Sequence, residues 1–556
     1  MPAKAKAPEK GICFPKDAKG GRSTSDAGKK IIAAALRGAG TSEGNKFAEQ
    51  CDKERNWRFG YVKHFKNLVK ASAASPKVAL GVARAGAEYM QKNFEFVAPV
   101  TGSVSDSFGE YMSSYKAGTK GEPAAFETGV IKGSRKDKRA LAIDYQGKEL
   151  SGAALKAQME AWAQYGTIEE DAALAICSLA DGNVDLSDKH FVLIGAGSAM
   201  GPYSKLLEHG ATVVCIDIPG MWGERPAGMW ARLIKIARES SGQIIFPLSV
   251  PQSSCKDDAA LFKAIGCNLT EYPAQILHWL QGVAPGKSLC VGNYTYLDGE
   301  LHVKLSLAAD ALISGLCVTR KDTKVAFLCT PTDLHVITDS AHKAAVANYG
   351  WHPGRLVEAF FNLISFGKAL QRNSMRPLPT EDATKTIKVV DGLSVAQGPN
   401  YALAKRLQHW RAMLAFEAGH TVSSNIAPST ATLSVVSNRT FGWAYGGMPY
   451  FKPYEIFQQE TTNGVMGAML IYDATDKTSA ANPANRTKYG IDNTMELFKF
   501  NSVHGGVWRA AYTVNSIGEV SVLIHFLGGP STFLPVFFFL LAAIAYLTAR
   551  FTGHIQ

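Results

Sequence analysis

The sequence has no CxxC pair and no regular Cys/His spacing. Its nine cysteines are odd in number and scattered along the chain. This pattern disfavours both a disulfide framework and a zinc site, and it favours a reducing compartment. The first apolar run, Ile31–Leu36, is short and follows a lysine-rich stretch, so we expect no secretory signal.

The sequence also has no stripe of interleaved basic and aromatic residues. The net charge of +11 is concentrated near the amino terminus, where residues 1–70 hold 16 Lys/Arg and 7 Asp/Glu, a balance of 16 − 7 = +9. The rest of the chain is therefore close to neutral. We interpret the basic arm as a solvated tail or as a contact with anionic lipid or a partner, and we expect no binding to nucleic acid.

Four regions follow from composition and periodicity. Residues 1–43, rich in Lys, Gly, Ala and Ser, are predicted to be a disordered basic tail. Residues 44–180 show apolar spacing typical of helices, interrupted by a polar stretch at Ser113–Arg139 that we interpret as a linker. Strand and helix patterns then alternate through residues 186–528, which predicts an α/β domain with a mostly parallel sheet.

The fourth region is hydrophobic. Phe533–Ala549 contains 17 residues without a charge and is followed by Arg550. At about 1.5 Å per residue such a helix nearly crosses a hydrocarbon core of about 30 Å, more so with Ser531 and Thr532 included. We therefore predict a transmembrane tail anchor at residues 531–549, with the remainder of the protein facing the cytosol on an intracellular membrane. The alternative is a buried helix or an oligomer contact.

The first strand of the α/β domain runs into a glycine-rich turn, GAGSAMG, before a helix predicted to start at Met200. Glycines at such a turn let a pyrophosphate approach the backbone N–H groups. Asp217 ends the next predicted strand, where a carboxylate can accept hydrogen bonds from ribose hydroxyls. The predicted dinucleotide-contacting residues in this part are Gly195, Gly197, Ser198, Gly201 and Asp217.

A second signal is the pair Tyr401 and Lys405 at the start of a predicted helix. Residues four apart share a helix face, and a nearby ammonium lowers the pKa of a phenol, which makes the tyrosine a usable acid or base. The pair follows a predicted strand, Thr386–Leu393, which leads into Ser394, and it precedes the segment NIAPSTAT.

With these motifs the chain, over about residues 190–475, resembles the short-chain dehydrogenase/reductase family. The resemblance implies a doubly wound, mostly parallel Rossmann-like sheet, here with an N-terminal α-helical region and a C-terminal hydrophobic helix. It implies that Tyr401 donates a proton, that Lys405 activates Tyr401 and binds the ribose, and that Ser394 polarises the substrate carbonyl. Asn362 would support a proton relay. Further cofactor contacts implied by the resemblance are Thr330, Pro428 and Thr432.

The chain departs from the family pattern at Ala196, which replaces a threonine, and at Tyr203, which replaces the last glycine of the turn and is bulky enough to crowd a cofactor. The implied function is a membrane-tethered NAD(P)-dependent oxidoreductase that interconverts carbonyl and alcohol on a small, lipophilic substrate. NAD is favoured by Asp217, although Arg225 or Arg232 could accommodate NADP. The alternatives are a catalytically inactive Rossmann-fold scaffold at a membrane and, less favoured, a different chemistry such as enoyl reduction. The sequence leaves open whether the protein forms a homo-oligomer.

Overall fold

A computed structural model describes residues 9–105, 107–119, 125–137, 139–351 and 355–527. The predicted anchor at 531–549 and residues 1–8 lie outside this range. Among the described residues one helix, Glu300–Thr319, is long and apolar enough to cross a membrane, but 61% of it is buried inside the protein.

The amino-terminal layer is mainly helical. Its elements are β1 (Gly11–Cys13), α1 (Thr24–Arg37), α2 (Ser42–Asp52), α3 (Trp57–Ala73), α4 (Pro76–Asn93), β2 (Glu95–Val97), β3 (Val104–Ser105) and α5 (Phe108–Ser114).

The prediction of disorder over residues 1–43 is wrong for residues 9–43. Ser23 caps α1 by accepting a hydrogen bond from the Asp26 N–H at 3.1 Å. Ile31, Ile32 and Leu36 are completely buried. Lys and Gly dominate the composition here, but the IIAAAL run supplies a small apolar face that packs closely against α2 and α4.

The next region is not purely helical. It contains β4 (Glu127–Lys132), β5 (Ala142–Tyr145), β6 (Lys148–Ser151), α6 (Gly152–Tyr165) and α7 (Glu170–Ala180). The predicted linker Ser113–Arg139 includes β4, which pairs antiparallel with β9 at the edge of the main sheet. A boundary at residue 186 therefore does not separate two domains, because β4 belongs to the same sheet as the strands that follow.

Strands and helices then alternate as predicted. The elements are β7 (His190–Ile194), α8 (Tyr203–Glu208), β8 (Thr212–Ile216), α9 (Glu224–Arg238), β9 (Gln243–Leu248), α10 (Asp258–Ala264), α11 (Pro273–Gly282), β10 (Leu289–Asn293), α12 (Glu300–Thr319) and β11 (Lys324–Phe327).

The carboxyl-terminal half continues with β12 (Leu334–Val336), α13 (Asp339–Asn348), α14 (Arg355–Ile364), β13 (Leu378–Pro379), β14 (Thr386–Ile387), β15 (Val389–Asp391), α15 (Pro399–Glu417), β16 (Val422–Ser423), β17 (Thr430–Ala431), α16 (Leu433–Val436), α17 (Arg439–Gly447), β18 (Phe457–Gln458), α18 (Gln459–Thr475) and α19 (Val514–Phe526).

The main sheet has seven strands in the order β16-β11-β10-β7-β8-β9-β4. Six strands are parallel, and only β4 is antiparallel. The α/β class with a mostly parallel sheet is thus confirmed. Strands β8 and β10 are buried along their whole length, as expected where helices cover both faces of a sheet. The apolar helix α12 connects β10 to β11 and packs on α11 and α15, so it is a core helix.

Glu169, just before α7, joins distant parts of the chain. Its carboxylate accepts hydrogen bonds from His504 Nε2 at 3.0 Å, Arg509 Nε at 2.9 Å and Thr338 Oγ1 at 2.7 Å. Its side chain is only 3% exposed. Burial alone raises the pKa of Glu169, but the bonds from His504 and Arg509 outweigh it and lower the pKa to about 2.

We expect Glu169→Gln to lower the free energy of unfolding by about 3–5 kcal/mol, because it removes the buried carboxylate that pairs with the half-buried Arg509 and bonds the buried His504. The ionised carboxylate stabilises the fold fully above its ordinary pKa of 4.5, and this stabilisation is lost as the pH falls from there towards 2. Urea unfolding at pH 7 and pH 3 checks both statements. The exposed neighbour Glu170→Gln is the control, with a change within about 0.5 kcal/mol. Equal stability of Glu169→Gln and wild type at pH 7 would contradict the assignment.

Candidate functional site

The glycine turn lies where predicted, at the carboxyl end of β7. Gly195 has φ of +89°, which only glycine adopts easily. Its N–H donates to the Ile216 carbonyl at 2.8 Å. A Cβ at this position would lie 3.0 Å from the Tyr294 carbonyl carbon. The turn is therefore held closely between the ends of β8 and β10.

Asp217 supports the turn from the neighbouring strand. Its Oδ2 accepts from the Gly197 N–H at 2.7 Å, and its Oδ1 accepts from the Ile218 N–H at 2.8 Å. Burial raises the pKa of Asp217, and these two donors oppose the rise. A carboxylate has about four acceptor positions, so each oxygen can still accept one further hydrogen bond. Arg232 lies beside the turn, with Nη2 3.4 Å from the Gly197 carbonyl oxygen.

The helix after the turn is shorter than predicted. It begins at Tyr203 rather than Met200 and has six residues. Ser198 and Gly201 lie in the preceding turns, where the Gly201 N–H donates to the Ser198 carbonyl at 3.1 Å. Any phosphate contact would therefore depend on the turn backbone more than on a long helix dipole.

Tyr203, which replaces the last glycine of the family pattern, points into the core. It is 5% exposed, and its hydroxyl donates to the Leu233 carbonyl at 2.6 Å. The ring thus packs between α8 and α9, among Leu206, Leu207 and Trp230. The expectation that this bulky side chain could crowd a cofactor is not met, because the ring lies in the hydrophobic core.

Tyr401 and Lys405 lie on the first turns of α15, on one face as predicted. The Lys405 Nζ is 5.9 Å from the centroid of the Tyr401 ring. It donates to the Leu328 carbonyl at 3.2 Å and to Gln408 Oε1 at 3.3 Å. Burial lowers the pKa of Lys405 to about 8. Burial also raises the pKa of the Tyr401 phenol, against a hydrogen bond from Thr330 that lowers it. The predicted lowering of the phenol pKa by Lys405 is therefore not what this arrangement produces.

Thr330 is the hydroxyl next to Tyr401. It follows β11, and β11 is the sheet strand that precedes α15 along the chain. The Thr330 side chain lies close enough to the Tyr401 phenol to lower its pKa, and its Oγ1 is 2.7 Å from the Thr332 Oγ1. Sequence reasoning named Thr330 as a cofactor contact but missed its position beside Tyr401, since 71 residues separate the two.

Ser394 and Asn362 occupy other places. The predicted strand Thr386–Leu393 forms β14 and β15, and β15 pairs antiparallel with β12 outside the main sheet. The Ser394 carbonyl accepts from the Tyr61 hydroxyl of α3 at 3.0 Å. Asn362 lies on α14 and donates from Nδ2 to the Ala369 carbonyl at 2.8 Å. Among the described residues, neither side chain has a hydrogen bond to Tyr401, so the structure does not bring them into one group with it.

Two side chains that the sequence did not single out as catalytic complete the site. The rings of Tyr296 and His302 lie 6.1 and 5.4 Å from the Tyr401 ring, centroid to centroid. His302 is fully buried, and neither ring nitrogen has a hydrogen-bond partner within the described protein. Burial lowers the pKa of His302 to about 3, so the imidazole is neutral and can accept or donate a hydrogen bond. Their position in NYTYLDGELH, directly after β10, was the available signal.

Pro428 and Thr432 follow β16 along the chain. A parallel bridge between Cys329 and Ile426 continues the pairing of β11 and β16, and Pro428 comes two residues after this bridge. The Pro428 carbonyl accepts from Thr430 Oγ1 at 2.9 Å. Thr432 follows β17, which pairs with β18 outside the main sheet, and its Oγ1 is 3.0 Å from Ser434 Oγ at the start of α16.

Comparisons with known proteins give no relative. No family model matches the chain, and no curated protein matches it.

We expect Gly195→Ala to lower the free energy of unfolding by about 1–3 kcal/mol, because alanine is strained at φ of +89° and its Cβ would press on the Tyr294 backbone. Gly228→Ala is the matched control: nothing lies within 4 Å of its Cβ position in α9, so a gain of about 0.5–1 kcal/mol is expected. Chemical denaturation measures both. If Gly195→Ala were as stable as wild type, the turn would not be held as described.

Proposed function

We propose that the protein is an NAD(P)-dependent oxidoreductase that interconverts a carbonyl and an alcohol. The observation that carries this proposal is the grouping of Thr330, Tyr401 and Lys405 at the sheet edge that also holds the Gly195 turn and Asp217. Numbered 1 to 6 in chain order, the six parallel strands are β7, β8, β9, β10, β11 and β16. Across the sheet they lie in the order 3-2-1-4-5-6, which is the order of doubly wound dinucleotide-binding folds. The short-chain dehydrogenase/reductase resemblance is part of this proposal.

The residues present fit a dinucleotide. The Gly195–Gly201 turn offers backbone groups for the pyrophosphate, and Asp217 retains acceptor positions for the adenosine ribose. On the other side of the edge, Lys405, Thr330, Pro428 and Thr432 would hold the nicotinamide half. When bound, the nicotinamide supplies or accepts a hydride.

The chain's own residues handle the proton. The pKa of the Tyr401 phenol lies above its ordinary value, so the phenol holds its proton at neutral pH and can donate it to a carbonyl oxygen. The Thr330 hydroxyl, which lies beside this phenol and lowers its pKa, would take the orienting role that the resemblance gives to a serine on the preceding strand. Lys405, with a pKa of about 8, is mostly charged at pH 7 and would bind the ribose, the other role that the resemblance gives to this lysine.

The choice between NAD and NADP depends on the end of β8. Asp217 would repel a 2′-phosphate and favours NAD, whereas the Arg232 guanidinium beside Gly197 could pair with that phosphate. We favour NAD slightly.

A second candidate is an inactive scaffold at a membrane. It is favoured because two polar groups of the site are already bonded within the protein. Asp217 accepts a hydrogen bond from the Gly197 N–H, and the Lys405 ammonium donates to Leu328 and Gln408. In both candidates, Phe533–Ala549 anchors the protein in an intracellular membrane with the folded part in the cytosol, and the anchor suggests a small lipophilic substrate.

Cofactor binding separates the two candidates. NAD(H) or NADP(H) at 100 times the dissociation constant would stabilise the fold by about 2.7 kcal/mol, which thermal unfolding of the full-length protein detects as a rise in Tm. Asp217→Asn should weaken the effect of NAD(H) more than that of NADP(H). No rise with any of the four dinucleotides would reject the enzyme proposal and leave the scaffold.

Tyr401→Phe should leave the dinucleotide-induced rise in Tm intact and lower turnover at least about 100-fold, because general acid catalysis contributes about 10²–10⁴ in rate. Consumption of NADH or NADPH with medium-chain aldehydes and aromatic ketones is the assay. Tyr165→Phe, on an exposed ring of α6, is the control with unchanged activity. A fully active Tyr401→Phe variant would refute the proton-donor role.

A further inference from the structure

A group of large apolar side chains is exposed near the carboxyl end of the described chain. We call it the α17–α19 face; it comprises Leu433 and Val436 of α16, Phe441 of α17, Tyr450 and, from α19, Leu523 and Phe526. Leu433 is 78% exposed and Phe526 62%. Contiguous exposed apolar surface of this kind marks an interaction site more often than isolated residues do.

The α17–α19 face is continuous because the two helices pack together. The Trp443 ring of α17 meets the Phe526 ring edge-on at 4.8 Å between centroids. Gly446 leaves room for the His525 ring, which would lie 2.4 Å from a Cβ at that position. The apolar parts of α17 and the last turn of α19 thus form one surface.

Basic residues outnumber acidic ones in the sequence around this face. Residues 418–454 and 520–556 contain no Asp or Glu, and Arg439 and Lys452 are exposed within the first of these stretches. Helix α19 carries one acidic residue, Glu519, which is exposed one helical turn before Leu523. Aromatic rings with basic neighbours are typical of segments that lie at the boundary between headgroups and acyl chains.

The chain beyond the described residues begins at this face. Phe533, the start of the 17-residue uncharged segment, follows Phe526 by seven residues. Seven residues span at most about 25 Å. If this segment enters a bilayer, the last turn of α19 stays within that distance of the bilayer surface.

The same helix reaches the candidate site. Tyr445 of α17 lies close enough to Tyr296 and Tyr401 to influence the pKa of the Tyr401 phenol. Tyr445 lies between Trp443 and Gly446, the residues of α17 that contact α19, so this part of α17 lies near both the apolar face and the ring group around Tyr401.

We propose that the α17–α19 face lies in the interfacial layer of a bilayer containing anionic lipid. This inference rests on the proposed tail anchor and deepens the proposed function. The occupant is lipid, because Arg439 and Lys452 complement anionic headgroups and the uncharged segment that starts at Phe533 follows this face directly in sequence.

Photocrosslinking of the full-length protein tests the contact. Phe441 or Phe526 is replaced by p-benzoylphenylalanine, and the protein is reconstituted in vesicles of phosphatidylcholine and phosphatidylserine that carry an alkyne-tagged phosphatidylcholine. Leu174→p-benzoylphenylalanine is the control, since Leu174 is 64% exposed on α7. We expect lipid adducts at 441 and 526, at least fivefold above position 174.

Vesicle flotation of the same samples tests the tail anchor separately from the lipid contact of the α17–α19 face. If the protein does not float, the tail anchor itself is rejected. If it floats and yields no lipid adduct at 441 or 526, the anchor stands and the docked face is rejected. A dimer-sized adduct, or an intramolecular adduct with residues 533–549, would likewise overturn the lipid contact in favour of a second copy or of the chain's own segment.

Discussion

The parallel alignment of six strands is the constraint on which the candidate site depends. The register pairs Ile194 with Ile216 and with Asn293, and Asn293 with Phe327. The residue after each strand therefore comes to the same level, and the glycine turn, Asp217 and the segments that lead to Tyr296 and Thr330 meet at one edge. Parallel strands need both faces covered by helices, which explains why so much of the chain forms crossover helices and helices that pack on the sheet.

The sequence predicts the central strands closely because continuous apolar runs have few alternatives when both faces of a sheet are buried. It does not identify strand partners. Thr386–Leu393 is extended as predicted, yet it pairs with β12, so Ser394 leaves the site and Thr330 lies beside Tyr401. The helical spacing of Tyr401 and Lys405 is a local property, and it is predicted correctly. The prediction of disorder is wrong for residues 9–43 because it was based on average composition. The short Ala/Ile stripe in this segment joins the apolar core only when α1 packs against other helices.

The Tyr401–Lys405 pair shows burial competing with charge. Both groups lose water, so the phenol keeps its proton more firmly, and the ammonium gives its proton up more easily. The Lys405 Nζ is turned towards the Leu328 carbonyl, which limits its effect on the phenol. A phenol of this kind is protonated at neutral pH, although its raised pKa makes it a weaker acid than a free phenol.

Apolar helices in this protein have two different physical settings. Helix α12 contains Glu300, Lys304 and Asp310, and Asp310 is paired with Arg411 of α15 at 2.6 Å. The hydrophobic surface of α12 packs against other helices of the protein. On the α17–α19 face the apolar side chains are exposed, and Arg439 and Lys452 are exposed near them in sequence. Burying that surface in lipid removes it from water without a protein partner. In the proposed orientation, the helix that carries this surface also carries Tyr445, which lies near enough to Tyr401 to raise the pKa of its phenol.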